Sequence, residues 1–449
     1  MAAIRAAQLG AEVTLIEKEA LGGTCLNVGC IPTKTFLECA HIYHKAGASQ
    51  DMGIYAEPVL NWEQVQKYKN EVVNKLVSGV SSLMRMNGIK VMNGTASFLD
   101  SHTAAVRDKE GNVNELSSDY FILASGSQPF VPEIPGIEQE CCIDSTKALA
   151  LSKIPESLVV MGGGVIGVEL ATAFHEFGTR VTIVEMMPHI LPNMDFEMSE
   201  RLKRDMQRKG IDIRTETKVV SIEKGTANAI CRIESKGQED RIEAEKVLVC
   251  IGRRPFLKDL ELDKAGVKTG KAIETDEYLR TSQKHIYAVG DCNGKLMLAH
   301  AASDQGVLAA EHCMGLPVKF EMKACPNCVY SDPELASAGL SEQEARNKGI
   351  PYKVGRFPMA ANGRALIMGG NTGLVKVLTG EQYGEILGVH IYGPQAAELI
   401  AEGTLAIQLE ATADELIETI HAHPTISECI HEAALSVEGR AIHIADRKG

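Results

Sequence analysis

"LVVMGGGVIGVELATAFHEFGTRVTIVE" (Leu158–Glu185) is the stretch that decides the fold. Four apolar residues, Leu158–Met161, run straight into Gly162-x-Gly164-x-x-Gly167, and a helical pattern follows as far as Phe177. Gly178 closes that helix, and a second strand ends on Glu185, 23 residues beyond the first glycine. Strand, glycine loop, helix, strand and terminal acid, in that order, make a dinucleotide-binding βαβ unit. The glycines bring backbone up to a pyrophosphate at the helix N-terminus, and the acid takes the ribose hydroxyls. Met186, Met187 and Pro188 follow Glu185 with no arginine pair for a 2′-phosphate, so NAD is expected rather than NADP. "VLVCIGRRP" closes this region at Gly252.

The opening of the chain, "MAAIRAAQLGAEVTLIEK" (Met1–Lys18), lies on the same unit in one register. Placing Glu17 on Glu185 puts Gly10 on Gly178, Ala3 on Ala171 and "AEVTLIE" over "TRVTIVE". The opening therefore reads as the second half of another nucleotide site, with Glu17 as its ribose ligand. Met1 falls on Glu169, so the expected place of the first strand and glycine loop of this unit is ahead of Met1. Its first glycine would stand seven residues before it. The first domain is thus expected to be N-terminally incomplete, and a non-catalytic or incomplete fragment is the alternative reading.

Bulk properties narrow the class. A chain of 449 residues is expected to hold about three domains. A net charge of −13 argues against nucleic acid or an anionic membrane as partner, because both select a basic face. The longest apolar run contains four glycines and a glutamate and reads as strand, turn and helix, not as a membrane span. No signal or transit pattern is present. Twelve cysteines in this length point to a reducing compartment where a disulfide would be catalytic. A cytoplasmic location is expected, bacterial in preference, with the mitochondrial matrix as the other candidate.

"GGTCLNVGCIPTK" (Gly22–Lys34) carries the redox chemistry. A regular helix would hold Cys25 and Cys30 too far apart for a disulfide, so Cys25 is expected on an irregular turn and Cys30 at a helix N-terminus. Pro32 suits the first turn of that helix, whose dipole favours a thiolate. Two inert buried thiols are the bland alternative. Metal ligation is another, but no further ligands lie nearby at compatible spacing. Thiol–disulfide exchange also needs a group that takes a proton. "HAHPTISECIHEA" offers His423 before Pro424, with Glu428 five residues on at an expected helix start. A metal site built from His421, His423, Glu428 and His431 is the rival, which Pro424 disfavours by breaking the helix; His421 and His431 are read as structural, and no metal site is expected.

On these residues the chain resembles the flavin-dependent pyridine nucleotide–disulfide oxidoreductases, over essentially its whole length. The resemblance implies FAD and NAD as cofactors. It makes Cys25 the thiol that exchanges with substrate, and Cys30 the charge-transfer thiolate against the flavin. It pairs Lys34 with Glu169 near the flavin, and makes His423, held by Glu428, the acid–base contributed by the partner subunit of a homodimer. It places Gly94 and Gly126 where backbone approaches the flavin dinucleotide, Asp291 on the flavin side chain, and Met297, Leu298, Ala299 and His300 near its ring. The implied reaction is oxidation of dihydrolipoyl groups with NAD⁺, and the implied partners are lipoyl domains of 2-oxo acid dehydrogenase or glycine cleavage complexes. Glutathione reductase is disfavoured by the NAD preference. Mercuric reductase is disfavoured because the tail "AIHIADRKG" has no cysteine pair.

The expected fold is α/β: two Rossmann-like dinucleotide-binding domains, for FAD and NAD, plus a C-terminal α+β dimerisation domain. The expected boundaries are 1–150 for the FAD domain with the redox pair, 151–270 for the NAD domain, 271–320 for a return to the first domain, and 321–449 for the interface domain. A second Cys-x-x-Cys, Cys325 and Cys328, and the adjacent Cys141 and Cys142 are read as structural.

Overall fold

The computed structural model describes residues 1–225, 228–370 and 372–445; the last four residues of the cysteine-free tail lie outside them. The chain forms two compact units: residues 1–35, 63–130 and 252–321 in the first, and 36–62, 131–251 and 322–449 in the second. Among the described residues, no helix is long and apolar enough to cross a membrane.

In the second unit the strand Ser157–Met161 is the centre of a five-stranded parallel sheet. Arg180–Val184 and then Asp212–Arg214 pair on one side of it, and Lys246–Val249 and Cys142–Ile143 on the other. Every residue of the central strand is buried, as expected for a strand covered on both faces. The helix Val165–Glu176 follows the glycine loop, and Gly178 (φ +101°) turns the chain into the next strand. A three-stranded antiparallel meander, Thr217–Lys224, Ala229–Ser235 and Gln238–Ala244, shares the apolar core formed by Val159, Val247 and Cys231. The C-terminal part is a five-stranded antiparallel sheet, in the order 327–329, 335–339, 386–392, 374–380 and 352–358. The helices Ala396–Gln408 and Glu428–Val437 supply buried apolar residues to its core.

The first unit repeats the parallel theme in smaller pieces. Ala2–Gln8 is helical and Thr14–Glu17 is a strand, as the repeat predicts; the strand pairs in parallel with Lys90–Asn93. Ile286–Ala288 pairs in parallel with Phe121–Leu123 in a separate two-stranded sheet. The difference in burial follows from the pairing. Thr14–Glu17 has one neighbour and no fully buried residue, whereas Arg180–Val184 lies between two strands and buries Val181, Ile183 and Val184. The opening helix packs on Ala299–Cys313: Ala2 comes against Gly306, and Arg5 pairs with Glu311 at 2.6 Å.

Candidate functional site

The redox segment departs from the expectation in one respect. Cys25 is not on an irregular turn; it sits within a short helix, Gly23–Val28, that begins at Gly22 in the left-handed region (φ +94°). The Asn27 side chain ties that helix down by donating to the carbonyls of Leu21 and Gly23. The irregularity falls instead at Gly29 (φ −136°, ψ −113°), between this helix and the next, Cys30–Gly47. A Cβ on Gly29 would come 2.9 Å from the Thr24 carbonyl oxygen, so only glycine lets the two helices follow so closely. The break delivers Cys30 as the first residue of its helix, with Pro32 in the first turn, as expected.

The two cysteines interact directly. The contact with Cys30 and burial push the Cys25 thiol well above the ordinary cysteine value, and Lys34 acts in the opposite direction. Lys34 stands four residues beyond Cys30 on the same helix.

The glycines of the nucleotide loop do different work. A Cβ on Gly167 would overlap the Gly162 carbonyl oxygen, so this glycine serves the packing of helix on strand. Gly162 needs its positive φ (+104°). Gly164 needs neither: its φ of −74° suits any residue, and a Cβ there would meet nothing within 4 Å. It stands at the N-terminus of the helix Val165–Glu176, where among the described residues no side chain bonds to the free amides. An uncapped helix end with open space at its glycine fits the pyrophosphate of NAD. Glu185 accepts the amides of Gly163 (2.6 Å) and Met187 (2.7 Å), which fixes its carboxylate beside that loop. Glu169 is buried in the same helix and accepts the Tyr330 amide at 3.1 Å. Gly252 has φ +125° with open space at its Cβ position.

In the first unit, Glu17 closes its strand and accepts the Glu19 amide with one oxygen. Gly94 is demanded by packing, because a Cβ there would stand 2.7 Å from the Arg107 carbonyl oxygen; Gly126 is a turn glycine (φ +69°) with open space beside it. Asp291 follows the strand Ile286–Ala288 and accepts the Ser127 hydroxyl. Arg253 in turn donates to the Ser127 hydroxyl at 2.7 Å and to its carbonyl at 2.8 Å. Sequence reasoning missed Ser127 and Arg253, since residues 126 and 164 positions from their partners leave no spacing signal. Leu298 caps the helix Ala299–Cys313 without a side-chain bond, so the amides of Ala299 and His300 open that helix, with Met297 partly exposed ahead of them. A carboxylate at one strand end, an acid at another and an uncapped helix N-terminus suit a ribose, a polyol chain and an electron-rich ring edge, and so fit FAD.

His423 and Glu428 are brought together in the second unit. The His423 Nδ1 lies 2.9 Å from Glu428 Oε1, while Glu428 Oε2 accepts the Thr425 amide at 2.9 Å. Glu428 opens the helix Glu428–Val437. Burial alone would raise its carboxyl, but the Thr425 amide and the His423 ring outweigh it and hold the group below the usual carboxylate range. The His423 side chain is 80% exposed. His421 is engaged by Glu402 (2.7 Å) and the Thr419 carbonyl, and His431 by the Ile417 carbonyl, in keeping with structural roles.

The family model described as pyridine nucleotide-disulphide oxidoreductase matches residues 1–306, and the model of that family's dimerisation domain matches 325–434. The chain is 42% identical to a dihydrolipoyl dehydrogenase of Bacillus subtilis, over 99% of this chain and 95% of that protein. It is 40% identical to the dihydrolipoyl dehydrogenase of Haloferax volcanii, over 100% and 95%. Among solved structures, LpdA from Mycobacterium tuberculosis superposes with a TM-score of 0.89 at 25% identity, covering 96% of each chain. The HOCl-induced flavoprotein disulfide reductase RclA from Escherichia coli superposes at 0.86 with 28% identity, again covering 96% of each.

Proposed function

Because the chain belongs to the pyridine nucleotide-disulphide oxidoreductase family, we propose that its Cys25–Cys30 pair, with His423 and Glu428, oxidises dihydrolipoyl groups at the expense of NAD⁺. The observation that carries this reading is the interacting thiol pair held across a helix start, four residues from a lysine. Substrate enters when the pair is a disulfide. His423 takes the proton of one dihydrolipoyl thiol, and the resulting thiolate attacks Cys25; the Cys25–Cys30 bond breaks and Cys30 leaves as a thiolate. The second substrate sulfur then displaces Cys25 and passes its proton to it. The products are a lipoyl disulfide, a Cys25 thiol, a Cys30 thiolate and a protonated His423.

FAD, when bound, supplies the two-electron relay from the reduced pair to NAD⁺. Glu17, Asp291 and the amides of Ala299 and His300 would hold FAD, and Gly94 and Gly126 keep backbone low beside it. Gly162, Gly164, Gly167 and Glu185 would hold NAD. Glu428 keeps the His423 ring turned so that Nε2 carries the proton. The active form is a homodimer, with lipoyl domains of 2-oxo acid dehydrogenase or glycine cleavage complexes as partners. The cytoplasm, where cysteines outside the cycling pair stay reduced, is the assigned location.

Replacement of Cys30 by Ser tests the reading. Dihydrolipoamide:NAD⁺ turnover is expected to vanish, while NADH-driven reduction of a dye, which bypasses the thiols, persists. Full lipoamide turnover in C30S would refute the assignment. Parallel assays with glutathione disulfide and Hg²⁺ separate the other disulfide reductases.

A further inference from the structure

Three segments of the second unit meet at a cluster that the redox chemistry does not use. The helix Cys30–Gly47 is anchored by Phe36, fully buried with its ring 6.2 Å from Phe177 and 5.1 Å from Trp62. One and a half turns on, His41 comes beside Glu176, the last residue of the glycine-loop helix, and beside Asp332, which follows the strand Asn327–Val329. One donor atom from each of His41, Glu176 and Asp332 lies within 4.8 Å of the other two.

Glu176 is the informative member. It is 5% exposed, and among the described residues neither carboxylate oxygen has a hydrogen-bond donor in reach. The groups beside it are a second carboxylate, Asp332, and the His41 ring. The Lys209 charge favours the Glu176 carboxylate from a distance, but its ammonium is bonded to the Asp332 side chain and to the Asp332 carbonyl at 2.8 Å. Burial and the facing Asp332 carboxylate push Glu176 up to about 7. A buried carboxylate without a donor is costly unless a proton or a cation shares it.

We propose that His41, Glu176 and Asp332 bind a divalent transition-metal cation at a site separate from the cysteine pair. One imidazole and two carboxylates suit a borderline-to-hard ion of the Mn²⁺ or Zn²⁺ type. Metal–ligand bonds of about 2.0–2.2 Å set donors roughly 3–4 Å apart, so the trio closes on the ion by side-chain adjustment alone. His41 and Asp332 are partly exposed, which gives the ion an entry path from solvent. Water completes the coordination on that side, and the role is structural: the ion ties three distant segments of the second unit together.

Mn²⁺ alone is the probe, since the twelve thiols compete for it weakly. Titration of the purified full-length chain, read as loss of the free-ion EPR signal, is expected to show about one site per chain, and E176Q and H41Q each to weaken it by about tenfold or more. Mn²⁺ is expected to raise the melting temperature of wild type but not of E176Q, whose metal-free protein melts at or above wild type because a carboxylate repulsion is gone. Absence of binding up to about 1 mM, or an equal isotherm and equal thermal shift in E176Q, would overturn the assignment in favour of a shared proton.

Discussion

Glu428→Gln is the sharpest test of how the proton is handled. The substitution keeps size and one carbonyl oxygen but removes the charge, and it forces a choice between the two partners of Glu428. One amide oxygen cannot serve both His423 Nδ1 at 2.9 Å and the Thr425 amide at 2.9 Å as the carboxylate does. A charge-assisted hydrogen bond has a net worth of about 1.5–3 kcal/mol against about 0.5–1.5 for a neutral one. The expected loss of about 1–2 kcal/mol in transition-state stabilisation corresponds to roughly 5–30-fold in kcat/KM for dihydrolipoamide. His423→Gln removes the base itself and should cost about 10²–10⁴-fold. Glu428 touches no reacting atom in this scheme; it acts through His423, so the two losses must not add. In an H423Q background, E428Q should cost less than about twofold. NADH-driven dye reduction should remain at wild-type rate in all three variants. Additive losses in the double variant, or an E428Q enzyme within twofold of wild type, would refute the positioning role.

The nucleotide loop gives a paired prediction. G164A should leave the melting temperature unchanged and raise KM for NAD⁺ by about tenfold or more, because its methyl group meets only the ligand, whereas G167A should destabilise the second unit through the Gly162 overlap. Equal effects of the two substitutions on stability would contradict this division, as read by thermal melts and NAD⁺ kinetics. Lys376→Ala should cost about 3–5 kcal/mol in denaturant unfolding, since Lys376 is buried between Asp195 (2.9 Å), Glu342 (2.8 Å) and Glu197 (3.3 Å), and a loss below about 1 kcal/mol would show the pairings to be dispensable. The Glu428 carboxyl is depressed on folding, so the stability it contributes is complete above the ordinary value of 4.5 and is lost as pH falls through its lower folded value. The stability gap between wild type and E428Q, measured by urea unfolding at a series of pH values, should therefore close only below about pH 4.5 and not between 5 and 8.

The sequence was most legible where chemistry is contiguous. Strand, loop, helix and acid in Leu158–Glu185 span one βαβ unit, and backbone sterics alone dictate their order, so the folded unit follows the reading almost residue for residue. His423 and Glu428 were legible because a five-residue separation across Pro424 can close a hydrogen bond in few ways. The placement of Cys25 shows the limit of the same reasoning. Spacing correctly excluded one regular helix through both cysteines, but it could not say which residue carries the break. Steric demand at Gly29 decides that, and it arises from the close approach of the Thr24 carbonyl, which no pattern of residue types reveals.

Groups joined only by the tertiary fold left no trace of their partnership. Lys376 reads as an ordinary charge in "GLVKVLTG", yet it is buried on Asp195, 181 residues away, because the carboxylates of Asp195, Glu197 and Glu342 converge on it. Burying any of those acids alone would be prohibitive, so the lysine and the acids are intelligible only as a set. Glu176 is the instructive contrast, a buried acid of the same unit with a second acid beside it. A fold that supplies a cation to Asp195 and none to Glu176 within hydrogen-bonding reach has left the second charge to be balanced by something taken from solvent, and the choice between a proton and a metal ion is one that a single titration decides.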